Sequence, residues 1–207
     1  ALRTMLQRFQ ANVSPLRIPS YDVFRRRGYD HRLYSRAFSS WQDGADEYDK
    51  IKIKLEVQNV GPQYYVEQQK ALFLAEHRQF DAAFREIDHA RGARKRVNWT
   101  IENTYNRILF RANVEKAGTI PEAQALCFRA LDGLENAFDS DQRRGLHALV
   151  FADCSLRLSR ALEADLVRGY LERAEEMLRD VMAGDESWLE RPRFVIREVR
   201  NRLRDLS

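Results

Sequence analysis

The amino-acid sequence predicts an all-α fold, and two observations carry that prediction. The chain has only five prolines and nine glycines among its 207 residues, fewer than the frequent turns of a β-sandwich or β-barrel require. From about residue 63 onwards, apolar residues recur at the three- and four-residue spacing of amphipathic helices. We therefore expect helices that are joined by short turns and packed around an apolar core.

The first predicted hairpin starts near residue 63. Its first helix covers residues 64–75 and its second covers residues 80–90, with a short turn at 77–79. A connection of this length makes the two helices pack antiparallel. Gly92 follows the second helix at the position where helix C-terminal caps favour glycine.

Two further hairpins and a final helix are predicted from the same periodicity. Their apolar stripes cover, in chain order, residues 101–114, 121–134, 146–158, 167–181 and 191–206. The second hairpin turns at Gly118, and Pro121 lies in the first turn of the return helix, where proline is tolerated. The final helix is suited to cap an array of hairpins, because its amphipathic pattern gives it one apolar and one polar face.

The first 62 residues are predicted to form a helical leader that packs on the first hairpin. Aromatic and basic residues are interleaved between Tyr21 and Trp41. Residues 30–58 are predicted as two helices with a break near Gly44. The expected organisation is therefore a leader at 1–62 and a helical array at 63–207.

The three predicted second helices share one spacing: a small residue, a larger residue four positions later, and a small residue three positions after that. The positions are Ala83, Ile87 and Ala90, then Ala123, Cys127 and Ala130, then Val167, Leu171 and Ala174. This spacing resembles the second-helix signature of tetratricopeptide (TPR) repeats, in which small residues let two helices approach closely. The resemblance implies a TPR-like α-α superhelix of about three helical hairpins with a C-terminal capping helix.

The first hairpin matches the TPR pattern best. Ala71 stands at the small position of its first helix, Leu74 at the apolar position, and Phe80 at the aromatic position that opens the second helix. The copies are 40 and 44 residues apart, whereas TPR units repeat about every 34 residues. Arg111 stands where the family has a small residue, and the tryptophan and closing proline of the family are missing from the array.

A second resemblance concerns the first helices of the first two hairpins. Residues 64–71, 101–105 and 109–113 resemble the helical C-terminal tails of large bacterial NTPases of the STAND type, some of them linked to sirtuin-like effectors. This resemblance implies a sensor or oligomerisation tail in a bacterial protein that acts in antiviral defence. Because the chain begins with Ala1 rather than Met, we expect a fragment of a longer protein, and the sequence leaves open whether a catalytic domain precedes it.

Charge and cysteine usage limit the compartment and the partners. The net charge of +4 conceals alternating stretches. Basic groups are in excess at 1–36, at 91–118 and in the last 17 residues, and acidic groups are in excess at 37–90 and 119–190.

Cys127 and Cys154 each lie in an apolar helical pattern, which indicates reduced, buried thiols and hence the cytoplasm. Neither an apolar run long enough for a bilayer nor a signal peptide is recognisable.

Sequence motifs that would indicate catalysis are missing, and we expect neither enzymatic activity in this chain nor a cofactor or metal. The glycines form no phosphate-binding loop, and the four histidines have no metal-ligand spacing. The adjacent carboxylates of Glu175 and Glu176 point to different faces of a helix, so they do not form an acid–base pair. Ser155 has no strand-turn-helix elbow around it.

The predicted function is protein recognition, sensing or self-assembly. The first helices of a TPR-like array line a preformed concave groove, which binds a partner protein at little entropic cost. The candidate groove residues are Tyr65, Gln68, Gln69, Leu72, Glu76, Asn106, Asn113 and Glu115.

The alternative hypothesis is direct nucleic-acid binding through the arginine-rich blocks. Basic residues interleaved with aromatic residues are typical of proteins that bind single-stranded nucleic acids. A basic loop between helices also suits a phosphate backbone or an acidic partner. The candidate anion contacts are Arg25, Arg26, Arg27, Arg91, Arg94, Lys95 and Arg96. The six arginines of the last helix are a further candidate, although its apolar stripe indicates that one face is packed. The acidic stretches count against this hypothesis unless the fold segregates charge onto one face.

Overall fold

The computed structural model describes residues 31–57, 64–93, 96–141, 144–184 and 190–206. In this part of the chain every regular element is a helix, which confirms the predicted all-α class. The α-helices are α1 His31–Ala37, α2 Trp41–Val57, α3 Tyr64–Glu76, α4 Phe80–Gly92, α5 Trp99–Asn113, α6 Pro121–Ser140, α7 Arg144–Leu158, α8 Ala164–Gly184 and α9 Glu190–Asp205. A short 3-10 turn at Val114–Lys116 follows α5. None of these helices is both long enough and apolar enough to cross a bilayer.

The chain divides into two compact units, Ala1–Arg96 and Val97–Ser207. In the first unit, α3 and α4 form a hairpin, and α1 and α2 pack on α3. The rings of Tyr34 and Tyr48 stack with centroids 4.3 Å apart, and the Tyr48 centroid lies 5.7 Å from that of Phe73. Since the described leader helices share this aromatic core with α3, the predicted boundary between residues 62 and 63 falls inside the first unit.

The break between α1 and α2 lies at residues 38–40, so the predicted break near Gly44 is wrong. Gly44 is inside α2, where a Cβ would overlap the Phe73 ring. Glycine is therefore used for close packing of α2 on α3 rather than to end a helix. Ser40 stands just before α2, and its Oγ accepts a hydrogen bond from the Asp43 N–H at 3.4 Å, as an N-terminal cap does.

The second unit consists of two hairpins and a final helix. The hairpin of α5 and α6 packs on the hairpin of α7 and α8, and α9 packs on both α7 and α8. Asn98 caps α5, because its side chain accepts hydrogen bonds from Thr100 N at 3.0 Å and Ile101 N at 3.3 Å. Pro121 opens α6, as the sequence predicts. Helix α7, the first helix of its hairpin, contacts both α5, the first helix of the preceding hairpin, and the final helix α9.

The nine residues of the shared second-helix spacing are all buried. They lie on α4, α6 and α8, at Ala83, Ile87, Ala90, Ala123, Cys127, Ala130, Val167, Leu171 and Ala174. Small side chains at the outer positions leave room for the neighbouring helix, and the central residue fills the space between the helices. The pattern therefore marks the core side of each second helix.

Candidate functional site

The predicted groove residues on α3 lie in the interior of the first unit. Tyr65, Gln68, Gln69 and Leu72 are buried, and Glu76 is mostly buried. Ten of the thirteen α3 residues are buried in total, because α1, α2 and α4 surround this helix. The predicted groove is therefore not open to a partner at these positions.

Polar contacts tie α1 to this part of α3. The Gln69 Oε1 atom accepts a hydrogen bond from the His31 backbone N–H at 3.1 Å and lies 3.0 Å from His31 Nδ1. The Ser35 hydroxyl donates a hydrogen bond to Glu76. These bonds satisfy polar groups that would otherwise be costly to bury. The apolar residues on every side of α3 are the sequence signal of a surrounded helix.

Two charged rows cross the first unit from α2 through α3 to α4. In one row, Lys70 Nζ lies 2.7 Å from Asp49 Oδ1 and 2.6 Å from Glu86 Oε1. Burial of Lys70 lowers its pKa, but the hydrogen bonds that Lys70 donates to Asp49 and Glu86, with the charges of these carboxylates, outweigh that effect and leave the pKa raised. Lys70 is therefore held charged between two carboxylates.

The second row places a carboxylate between two bases. Glu67 Oε1 lies 2.5 Å from Lys52 Nζ and 2.8 Å from His89 Nδ1, and the Glu67 side chain is almost fully buried. Glu67 and Lys70 are three residues apart on α3, as are their partners on α2 and on α4, so the two rows run side by side. The geometry is that of structural ion pairs that fix the register of three helices.

The predicted groove residues on α5 have three different environments. Asn106 faces α6, where a Cβ on Gly133 would overlap the Asn106 side-chain amide. Asn106 is therefore part of the contact between α5 and α6 rather than of a surface. Asn113 is half-buried and donates a hydrogen bond from Nδ2 to Leu109 O at 2.8 Å. Glu115, in the 3-10 turn, is exposed.

A buried polar triad joins α5, α7 and the end of α6. The fully buried His147 ring lies between Asn103 and Asp141, with 2.8 Å from Nδ1 to Asn103 Nδ2 and 2.8 Å from Nε2 to Asp141 Oδ2. An Asn103 amide N–H donates to Nδ1, so Nε2 carries the proton and donates to Asp141. Ser155 Oγ donates to the Phe151 carbonyl. The triad therefore fixes the position of α7 relative to α5 and the end of α6. The Ser155 hydroxyl is hydrogen-bonded within its own helix, α7.

The central helix of the second unit leaves one stripe at least partly exposed, with Val150 half-buried, and we call it the α7 stripe. Helix α7 packs against α5, α6, α8 and α9, and the α7 stripe consists of Leu146, Val150, Asp153 and Arg157 at positions i, i+4, i+7 and i+11. Leu146 is 45% exposed, and Arg157 Nε lies 3.0 Å from Asp153 Oδ2. The sequence pattern assigns Leu146 to the apolar stripe of its helix, and its exposure corrects that assignment.

The predicted anion contacts are only partly described. Arg25, Arg26, Arg27, Arg94 and Lys95 lie outside the described residues. Arg91 Nη1 lies 3.2 Å from Asp88 Oδ1 on the same helix, and Arg96 is exposed. Among the basic candidates, the structure therefore describes the surroundings of Arg91 and Arg96 only.

Both cysteines are buried in the second unit. Burial raises the pKa of Cys127 to about 11 and that of Cys154 to about 12. Such thiols are almost fully protonated near neutral pH, so they are poor nucleophiles and poor metal ligands. Across the described ranges, no group of three or more His, Cys, Asp or Glu side chains is placed to hold a metal ion.

Comparison with known proteins returned no match for this chain among protein-family models, curated proteins or solved structures.

Proposed function

We propose that this chain is a non-catalytic protein-interaction module, and that the α7 stripe of the second unit contacts the partner. One observation carries the proposal: the helix with the most neighbours in its unit keeps a stripe of three exposed side chains and the half-buried Val150 on its outer side. Helix α7 is held by α5, α6, α8 and α9, so the stripe is rigid before a partner arrives. Preorganisation of this kind lowers the entropic cost of binding.

The chemistry of the stripe favours an amphipathic helix as the partner segment. Leu146 and Val150 offer apolar surface at one end, and the Asp153–Arg157 pair offers both signs of charge at the other. A partner helix with apolar residues at i and i+4, followed by charged residues one to two turns later, can contact both the apolar end and the charged end of the α7 stripe. This is the recognition mode in which an amphipathic helix lies against a surface formed by other helices.

The wider biological setting is inferred from a sequence resemblance and from the two cysteines. The resemblance of residues 64–71 to bacterial NTPase tails supports a sensor or self-assembly tail in a larger bacterial defence protein. Buried, protonated cysteines support a reducing compartment such as the cytoplasm. Self-association is the special case in which the partner is a second copy of the same chain.

The test compares two substitutions in affinity capture from a native lysate after nuclease treatment. Leu146→Glu places a charge in the α7 stripe, whereas Leu166→Glu places the same charge on α8 at a leucine of nearly equal exposure, 47% against 45%. We expect a protein that is recovered with the unsubstituted chain and with Leu166→Glu but lost with Leu146→Glu. If every recovered protein is captured equally well by Leu146→Glu and by Leu166→Glu, the α7 stripe is not the contact surface. A reaction catalysed by residues of this chain would contradict the non-catalytic part of the proposal.

A further inference from the structure

The arginines of the final helix, α9, differ in their surroundings: one points into the unit, and others are exposed. Arg202 points into the unit, where its Nε donates a hydrogen bond to Ser159 Oγ at 3.1 Å and its Nη2 donates to the Ser159 carbonyl. It therefore supplies positive charge and donors at the C-terminal end of α7, where helix carbonyls lack partners. The apolar residues Pro192, Ile196 and Val199 are buried on the same side of α9.

Four other arginines of α9 form one exposed line, which we call the arginine stripe. It consists of Arg193, Arg197, Arg200 and Arg204 at positions i, i+4, i+7 and i+11. At 3.6 residues per turn, these positions fall within about 60° of one another around the helix axis. Their span is about 16 Å along the helix, at 1.5 Å per residue.

Acidic groups neutralise little of the arginine stripe. Among the side chains that the structure describes, Glu175 on α8 is the carboxylate that reaches it, and Glu175 Oε1 is shared between Arg200 Nε at 2.6 Å and Arg179 Nη2 at 2.5 Å. The hydrogen bond and charge of Arg200, with those of Arg179, keep the pKa of Glu175 lowered although burial acts in the opposite direction. One negative charge therefore faces two positive ones at this point.

The remaining arginines of the stripe have no acidic neighbour among the described side chains. Arg204 donates from Nη2 to the Asn201 side chain at 2.5 Å, and Arg197 lies over the Phe194 ring, 5.9 Å from its centroid. Glu198 lies between Arg197 and Arg200 in sequence and Asp205 follows Arg204, and both lie more than about 80° around the helix from the centre of the stripe. From Pro192 onwards, α9 thus places positive charge on one side, although residues 119–190 are acidic in sequence.

We propose that the arginine stripe binds the phosphate backbone of a single-stranded nucleic acid. Guanidinium groups bind phosphate oxygens through paired hydrogen bonds, and a single strand offers phosphates in a row that a line of arginines can follow. Phe194, 53% exposed beside Arg193 and Arg197, offers a ring on which a base can stack. A protein partner fits less well, because the apolar side of α9 is already buried within the unit and is not available to a partner.

The test measures fluorescence anisotropy of a labelled single strand of about 20 nucleotides with the full chain over a series of salt concentrations. With about four phosphates contacted, the logarithm of the association constant should fall with the logarithm of salt concentration at a slope of about −3. The triple substitution Arg193→Gln, Arg197→Gln and Arg204→Gln should weaken binding at least about tenfold and flatten the slope by about 2.

A control triple removes the same charge from other helices, through Arg36→Gln, Arg85→Gln and Arg129→Gln. All three of these side chains are exposed, and we expect the control to bind within about threefold of the unsubstituted chain. Phe194→Leu should weaken binding of the single strand but not of heparin, which has no bases to stack. Equal losses in the two triples, tighter binding of polyglutamate than of the strand, or no salt-dependent binding at all would each overturn the proposal.

Discussion

Gly118, in the turn between α5 and α6, lies against the backbone of Ala161, in the turn between α7 and α8. A Cβ on Gly118 would come within 2.7 Å of the Ala161 carbonyl oxygen, which is closer than real Cβ contacts. The two turns are equivalent positions of successive hairpins, so this contact is one of the places where the hairpins of the second unit are held in register. Only glycine fits there without a backbone shift.

Gly118→Ala should therefore lower the free energy of unfolding by about 1–3 kcal/mol, the usual cost of overpacking. The atom that the new methyl group meets belongs to the backbone, which cannot move aside as a flexible side chain can. Denaturant unfolding, followed by circular dichroism, measures the change.

Gly169→Ala is the matched control for that substitution. Gly169 is inside α8, and a methyl group added there would have nothing within 4 Å. Alanine should therefore raise the free energy of unfolding by about 0.5–1 kcal/mol through helix propensity. A stabilising effect of Gly118→Ala would show that the two turns are not in close contact.

The polar triad predicts a non-additive pair of substitutions. His147→Leu should cost about 2–4 kcal/mol, because Asn103 is left buried without its partner on the ring. Replacing Asn103 with Leu as well should recover part of that loss, since an apolar pair leaves no unsatisfied amide. A double-mutant cycle measured by denaturant unfolding gives the coupling. Simple addition of the two single losses would contradict the contact.

The C-terminal end of α9 allows a comparison between neighbouring arginines. Arg202→Met should cost about 1–2 kcal/mol, because it removes the donors that face the Ser159 carbonyl and hydroxyl at the end of α7. Arg204→Met should change stability by less than about 0.5 kcal/mol, since that side chain is exposed. Thermal unfolding measures the stability of both variants. Similar losses of stability for both would show that Arg202 does not cap α7.

The thiols predict how stability and reactivity depend on pH. Because burial raises the pKa of Cys127 to about 11 and of Cys154 to about 12, the folded chain should react with a disulfide reagent near neutral pH only through unfolding. The unfolded thiols ionise at lower pH than the folded ones, so their contribution to stability should be lost as pH rises above about 8.5. Reagent kinetics with and without denaturant test the first statement. Rapid labelling of the folded chain would contradict it.

Local patterns in the sequence are sufficient to predict the helices and several of their ends. The three- and four-residue spacing of apolar residues locates α3 to α9, because one face of each helix meets the core. Gly118 and Pro121 indicate the turn before α6 through conformational preferences that depend on a few neighbouring residues. The small-large-small spacing identifies the core side of α4, α6 and α8 for the same reason.

The surfaces depend on which helices meet, and a single sequence does not specify those long-range contacts. Gly44 is a packing residue because Phe73, 29 positions later, lies over it. Gln69 is buried because α1 covers it, and Leu146 is exposed although it continues an apolar pattern. The arginines of α9 are similar in sequence, yet Arg202 points into the unit while Arg193 is exposed. The sequence therefore predicts the helices better than it predicts which of their side chains line a surface.

The most direct test of the proposed function is the affinity of the partner, once captured, for the two leucine variants. Calorimetry should give a dissociation constant at least about tenfold weaker for Leu146→Glu than for the unsubstituted chain, because a buried apolar contact is replaced by a charge that must be desolvated. Leu166→Glu, at a position of matched exposure, should bind within about twofold of the unsubstituted chain. Equal affinities for the two variants, with both folded by circular dichroism, would contradict the assignment of the α7 stripe as the partner surface.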